Sequence, residues 1–243
     1  MITSVDNPRV KDVVRLRKAR ERRRSGLFVA EGPREVERAR AAGLTIVATY
    51  FAPRLLDWPD GEEVSERVLV KMSYRAEPEG VVAIVEAPVR ALPANGSLYL
   101  VAVGIEKPGN LGAMARTADA AGADALVVAE AQADPWNPNA IRASTGAVFS
   151  LPVVEATLDD VKSLPTRLVA AAPAALTSYA EADLAAPTAL AIGAEDAGLP
   201  PAWLQAADLA VSIPLRGAAS DSLNAATAAA IILFESRRQR DHA

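Results

Sequence analysis

The chain has 243 residues, enough for one large or two ordinary domains. Hydrophobic residues make up 51% and aromatic residues only 5%, so the core must be built mainly from Ala, Val, Leu and Ile, which suits helices packed closely on a sheet. The absence of cysteine excludes disulfides, thiolate metal sites and a cysteine nucleophile. The single histidine, His242, lies beside the chain end, so neither a histidine triad nor a metal centre is expected.

The formal net charge of -4 argues, taken alone, against a nucleic-acid binder, but its distribution argues the other way. The first 24 residues carry nine Lys or Arg against three acids, which leaves -10 for the remainder. Local charge decides whether phosphate is attracted. No signal-peptide core opens the chain and no apolar stretch is long enough to span a bilayer, so a cytoplasmic, membrane-free protein is expected.

Residues 9 to 24 read as one basic helix with a narrow stripe of Val10, Val13 and Val14, ending in Arg20, Arg22, Arg23 and Arg24 before a Ser25-Gly26 turn. Two readings stand: a solvated helix end, or a phosphate-tracking surface with Arg9, Lys11, Arg20, Arg22, Arg23 and Arg24 as contacts. Leu27 to Ala30 reads as a strand, and Glu31-Gly32-Pro33 opens a helix that Gly43 caps. Ile46 to Phe51, Val68 to Val70 and Gly80 to Glu86 read as strands, with a short helix or loop between Pro53 and Glu66. Pro93-Ala94-Asn95-Gly96 marks a linker. The spacing thus predicts a small α/β domain over 1–90, a linker at 91–97 and a second domain over 98–243.

In the second domain, strands are expected at 98–103, 125–129, 167–171, 188–192 and 209–213, with helices at 110–121 and 222–238. Ile141 to Ala147 follows a Pro-broken loop. Strands separated by helices imply an α/β doubly wound parallel sheet with ligands at its carboxyl edge.

Three segments in this domain carry chemistry. Lys107-Pro108-Gly109-Asn110-Leu111-Gly112-Ala113-Met114-Ala115-Arg116-Thr117 follows one strand, and Gly193-Ala194-Glu195-Asp196-Ala197-Gly198-Leu199-Pro200 follows another. Ile213-Pro214-Leu215-Arg216-Gly217-Ala218-Ala219-Ser220-Asp221-Ser222-Leu223-Asn224 opens the last helix. Each also has a structural reading. Arg116 could pair with Asp119 one turn on. The glycine loop could be only a turn into a helix near Pro201. Ser220 or Ser222 could be an N-cap, with Leu223, Ala226, Thr227, Ala230, Ile231 and Phe234 forming a core face.

In this order the three segments resemble the motifs of the SpoU (TrmH-like) branch of the SPOUT methyltransferases, which transfer methyl from S-adenosylmethionine to a ribose 2′-hydroxyl of RNA. The resemblance covers roughly residues 98 to 238. It implies catalytic roles for Asn110, Arg116, Glu195, Ser222 and Asn224, and cofactor contacts at Gly193, Ile213, Leu215 and Leu223. It also implies a deep C-terminal trefoil knot, where the pattern alone would stop at a doubly wound sheet, and a homodimer. The texture from Asn7-Pro8-Arg9-Val10-Lys11 through Phe28-Val29-Ala30-Glu31-Gly32 resembles the L30e-like RNA-binding domain that precedes many SpoU enzymes, which makes 23S rRNA a more natural substrate than tRNA. Arginine stays protonated in proteins, so Arg116 suits a phosphate clamp better than a base. Asp196 stands where the family usually has glycine, and Ala225 where it has valine.

Two readings from other classes compete. One is a non-catalytic RNA-binding protein. The other is an NAD-binding oxidoreductase using Gly104, Gly109, Gly112 and Glu130, although the spacing G-x4-G-x2-G lacks the tight turn that a pyrophosphate needs.

Overall fold

The computed structural model describes residues 1–217 and 222–242. The elements begin with α1 (Pro8–Arg15), α2 (Ala19–Ser25), β1 (Leu27–Glu31), α3 (Pro33–Ala41) and β2 (Ile46–Phe51). Next come β3 (Glu62–Glu63), α4 (Glu66–Met72), β4 (Val81–Glu86), β5 (Leu98–Val103), α5 (Pro108–Ala120) and β6 (Ala125–Ala129). They continue with α6 (Pro138–Ser144), α7 (Ala147–Ser150), β7 (Val153–Glu155), α8 (Leu158–Lys162) and β8 (Arg167–Ala171). The chain closes with β9 (Thr177–Ser178), β10 (Thr188–Ile192), α9 (Pro201–Ala206), β11 (Leu209–Ser212) and α10 (Ala225–Arg240). Among the described residues no helix is long and apolar enough to cross a membrane.

The chain divides into two compact units, one of Met1–Val89 with Trp136–Ser150 and one of Arg90–Pro135 with Leu151–Ala243. The first therefore takes in α6 and α7, which the sequence reading placed in the second domain. The aromatic groups of this segment stack on β1: Phe28 lies 4.9 Å from Trp136 and 5.7 Å from Phe149, centroid to centroid.

In the first unit a four-stranded sheet has the order β1-β4-β2-β3, with β4 antiparallel to both β1 and β2. Where one basic helix was expected, two form. The break falls at Leu16, whose side chain is buried, and Arg22 folds back to donate to the Leu16 carbonyl at 2.7 Å and the Arg17 carbonyl at 2.9 Å. Val68 to Val70 is helix and not strand. Ser65 caps α4 by accepting from the Val68 amide, and Val68, Leu69 and Met72 turn one face into the core, so burial at helical spacing overrides the β-branched run.

The second unit is built on a seven-stranded sheet of order β7-β6-β5-β10-β8-β11-β9, parallel throughout. Strands β5, β6 and β10 are buried along their whole length, which explains their unbroken Leu, Val and Ala runs. Because the strands are parallel, the segments following β5, β8, β10 and β11 leave the same edge of the sheet, and β10 lies between β5 and β8.

Helix α10 starts at Ala225, three residues later than expected. Its N-cap is Asn224, whose side chain accepts from the amides of Ala226 at 3.0 Å and Thr227 at 3.3 Å. Ser222 is not the cap, and Ser220 lies outside the described residues. The buried face is Ala225, Ala226, Ala229, Ile232, Leu233 and Ser236, whereas Thr227 and Phe234 are exposed. The buried face thus differs from the expected one, and the far end of the helix is anchored by polar contacts. Ser236 donates to the Leu184 carbonyl, and Arg240 reaches the carbonyls of Ser97 and Ala186, tying the helix to the starts of β5 and β10.

Candidate functional site

The segments leaving the carboxyl edge border an open cavity of about 110 Å³. Ala171 to Pro173 follow β8, Ile192 to Glu195 follow β10, and Ile213 and Leu215 follow β11. Ser222, Leu223, Ala225, Ala228 and Ile232 close it from the α10 side. Thus Gly193, Ile213, Leu215 and Leu223, with Glu195 and Ser222, share one predominantly apolar hollow. Main chain is brought to its wall by the turn after β10, where the Gly198 amide donates to the Ala194 carbonyl at 2.9 Å. A Cβ on Gly193 would lie 2.1 Å from the Gly198 carbonyl carbon, so this turn closes only around a bare residue. Gly198 takes a φ of 66°, whereas Asp196 stays out of the left-handed region, so its replacement of the family's glycine costs no backbone strain.

Beside this hollow is a closed polar cluster. Asn110, in the first turn of α5, donates to Glu195 Oε1 at 2.5 Å. Asn224 Nδ2 donates to the same oxygen at 2.6 Å and to Asn110 Oδ1 at 3.2 Å. The other carboxylate oxygen, Oε2, is 2.8 Å from Lys107 Nζ. The Lys107 ammonium holds the Glu195 carboxyl below the usual carboxylate range, with burial opposing and the Asn110 amide assisting. Glu195 in turn raises Lys107 above its ordinary value. One carboxylate therefore joins the end of β5, the turn after β10 and the cap of α10, three places far apart in sequence.

Arg116 stands apart from this cluster. It is exposed on α5, six residues beyond Asn110 and so roughly 120° around the helix from it. Among the described residues it forms none of the ion pairs found, including the one with Asp119 that a purely structural reading required. The cation paired with Glu195 is Lys107.

The basic run of the first unit divides in two. Arg22 is buried at 3% exposure and spends its guanidinium on carbonyls, so it is withdrawn as an RNA contact: its position fixes the α1–α2 corner. Arg20 and Arg23 are exposed, Arg24 pairs with Glu21 at 2.7 Å, Lys11 lies 3.6 Å from Asp6, and Arg9 pairs with Glu62. The dinucleotide reading loses its acid, because Glu130 accepts from the Trp203 indole at 2.9 Å.

Sequence reasoning quoted Lys107 within a motif but gave it no role. A cation immediately before the proline that begins a helix was the available signal. Ala171, Ala172, Ala225 and Ala228 offered none, since they contribute shape and main chain.

The model of the SpoU rRNA Methylase family matches residues 97–234, and that of the MRM3-like substrate binding domain matches residues 7–83. The chain is 33% identical to the 23S rRNA (guanosine(2553)-2′-O)-methyltransferase RlmP of Bacillus subtilis, covering 97% of this chain and 98% of that protein. It resembles a crystal structure of an RNA 2′-O ribose methyltransferase at 43% identity and a TM-score of 0.86, covering 98% of each chain. It also resembles the SpoU methyltransferase AviRb from Streptomyces viridochromogenes in complex with AdoMet, at 32% identity and a TM-score of 0.87, covering 97% of this chain and 98% of that one. The matched family model, over more than half of the chain, and the full-length relative together establish that this chain belongs to the SpoU rRNA methylase family.

Proposed function

We propose that the protein transfers a methyl group from S-adenosylmethionine to a ribose 2′-hydroxyl of RNA, with 23S rRNA as the substrate. The observation that carries this reading is the apolar hollow with Gly193 in its wall, set against the Asn110–Glu195–Asn224 cluster. The residues fit the cofactor: an apolar lining suits the adenosine, and Gly193, Ile213, Leu215 and Leu223 would hold it. When bound, S-adenosylmethionine supplies an electrophilic methyl group for in-line displacement.

The chain's own groups position and desolvate. Glu195 is a weak base, because Lys107 and two amides stabilise its charged form, so its task is to organise the amides. Arg116, exposed and permanently cationic, clamps an RNA phosphate and stabilises the developing alkoxide. Ser222 lines the cavity on its α10 side, and its hydroxyl is the group assigned to hydrogen-bond the substrate there.

The reading extends to a cytoplasmic homodimer joined through the catalytic domain, a C-terminal trefoil knot, and an L30e-like domain over 1–90 followed by a linker at 91–97. The apolar Phe234, 48% exposed on α10, suits the dimer contact. The presence of the first unit, which matches a substrate binding domain, favours rRNA over tRNA, and Arg9, Lys11, Arg20, Arg23 and Arg24 are its candidate phosphate contacts. Mapping ribose 2′-O-methylation in 23S rRNA and tRNA with and without the gene tests the assignment. Loss of one 23S rRNA mark supports it, and loss of a tRNA mark overturns the substrate.

A further inference from the structure

Within the polar cluster almost every hydrogen-bonding atom is already used by another member. Asn224 Oδ1 caps α10, Asn110 Oδ1 accepts from Asn224, and both amides donate to Glu195 Oε1. Glu195 Oε2 is held by Lys107. Lys107 is itself anchored by its main chain: its carbonyl accepts from the amides of Asn110 at 3.0 Å and Leu111 at 3.2 Å at the start of α5. Its side chain then crosses from the end of β5 to the turn after β10.

Glu195 also stands in a partition. On one side is the apolar hollow. On the other, Lys107, Asn110, Glu195, Glu106 and Asp196 line a second, more polar cavity of about 60 Å³. A carboxylate fixed only at Oε1 would pivot about that oxygen and carry both amides with it.

We propose that Lys107 is a positioning residue for methyl transfer: its ammonium fixes the orientation of the Glu195 carboxylate, and through it the Asn110 and Asn224 amides, at the partition between the two cavities. This rests on the methyl-transfer reading given above. Lys107 acts through Glu195 and not on the reacting atoms. Its side chain is 72% exposed, so its removal is expected to leave the fold intact. The other charged groups facing it are Glu106 and Asp196, both of which strengthen its positive form.

The test compares wild type with Lys107→Met and Lys107→Arg, using calorimetric titration of S-adenosylmethionine, steady-state methylation of 23S rRNA, and carbon-13 NMR titration of the Glu195 carboxyl. For Lys107→Met, kcat is expected to fall about 10- to 100-fold, the scale set by misplaced reacting groups, with cofactor affinity and the KM for RNA nearly unchanged. Losing the cation raises Glu195 toward its ordinary value, so both its titration and the acid limb of the rate profile move to higher pH. Lys107→Arg is expected to restore most of the rate and the wild-type titration. An unchanged Glu195 titration in Lys107→Met overturns the proposal. So does an unchanged kcat with a raised KM and a salt slope shallower by about one, the signature of a phosphate contact. A wild-type protein that methylates no RNA overturns the methyl-transfer reading, and this role with it, while the NMR titration separately reports whether Lys107 controls Glu195.

Discussion

The two units use the same side chains in opposite ways. In the first, Glu31 is buried at 7% exposure and accepts from the main-chain amides of Tyr74 and Arg75, and burial pushes its carboxyl above the ordinary range. In the second, Glu195 has an ammonium and two amides as partners and is pulled below it. Arg22 and Arg116 divide likewise: one spends its guanidinium on carbonyls, and the other presents it to solvent. Charge in a sequence says nothing about which fate a residue has. The fate follows from whether the surrounding backbone or an open cavity receives it.

The largest effect that would break this contrast concerns the arginines. Arg116→Ala is expected to lower methyl transfer by about 10³-fold, the scale for losing a charge-stabilising donor, without changing the melting temperature or cofactor affinity. Retained turnover would end the assignment. Arg22→Met should do the reverse, costing about 2 kcal/mol of stability by leaving two carbonyls without their donor, with the per-molecule rate preserved. Chemical denaturation measures it, and a stability equal to wild type would return Arg22 to the candidate RNA surface.

Asn224 sharpens the comparison because it serves both purposes. Asn224→Ala removes a helix cap worth about 1 kcal/mol and also one of the Glu195 donors. A lowered melting temperature together with a slowed rate is expected. If the melting temperature alone moves, the cluster is structural.

The smallest effect is a difference in sign with pH. Glu31 has a folded value above its unfolded one, so its stabilising contribution is fully present below the ordinary carboxylate range and is lost as pH rises through the raised value. Glu31→Gln should therefore flatten stability on that side. Glu195, with a lowered value, contributes above the ordinary range and loses that contribution as pH falls. Melting curves across the carboxylate range, with Glu195→Gln in parallel, compare the two slopes, and slopes of the same sign would remove the contrast.

Much of this was legible in the chain itself. The unbroken apolar runs at 98–103, 125–129 and 188–192 could only be strands of a sheet covered on both faces, and the proline before Asn110 placed a helix start after the first of them. The glycines at 193 and 198 marked a tight turn because φ and close approach are properties of single residues. The candidates Asn110, Arg116, Glu195, Ser222 and Asn224 came from the resemblance of the three segments to the SpoU motifs, and the structure brings Asn110, Glu195 and Asn224 together.

What the sequence by itself determined about this protein was therefore local: strand and turn positions, the family motifs and the kind of cavity they would border. Only the tertiary structure decided that helix 9–24 breaks at Leu16, that α10 begins after Asn224, that residues 136–150 pack on β1, and that Glu195 takes Lys107 as its partner. Apart from the local cap of α10, each of those depends on groups distant along the chain competing for one carbonyl, one face or one carboxylate. Such competition is settled by burial and hydrogen-bond geometry in three dimensions, to which periodicity along the chain is blind.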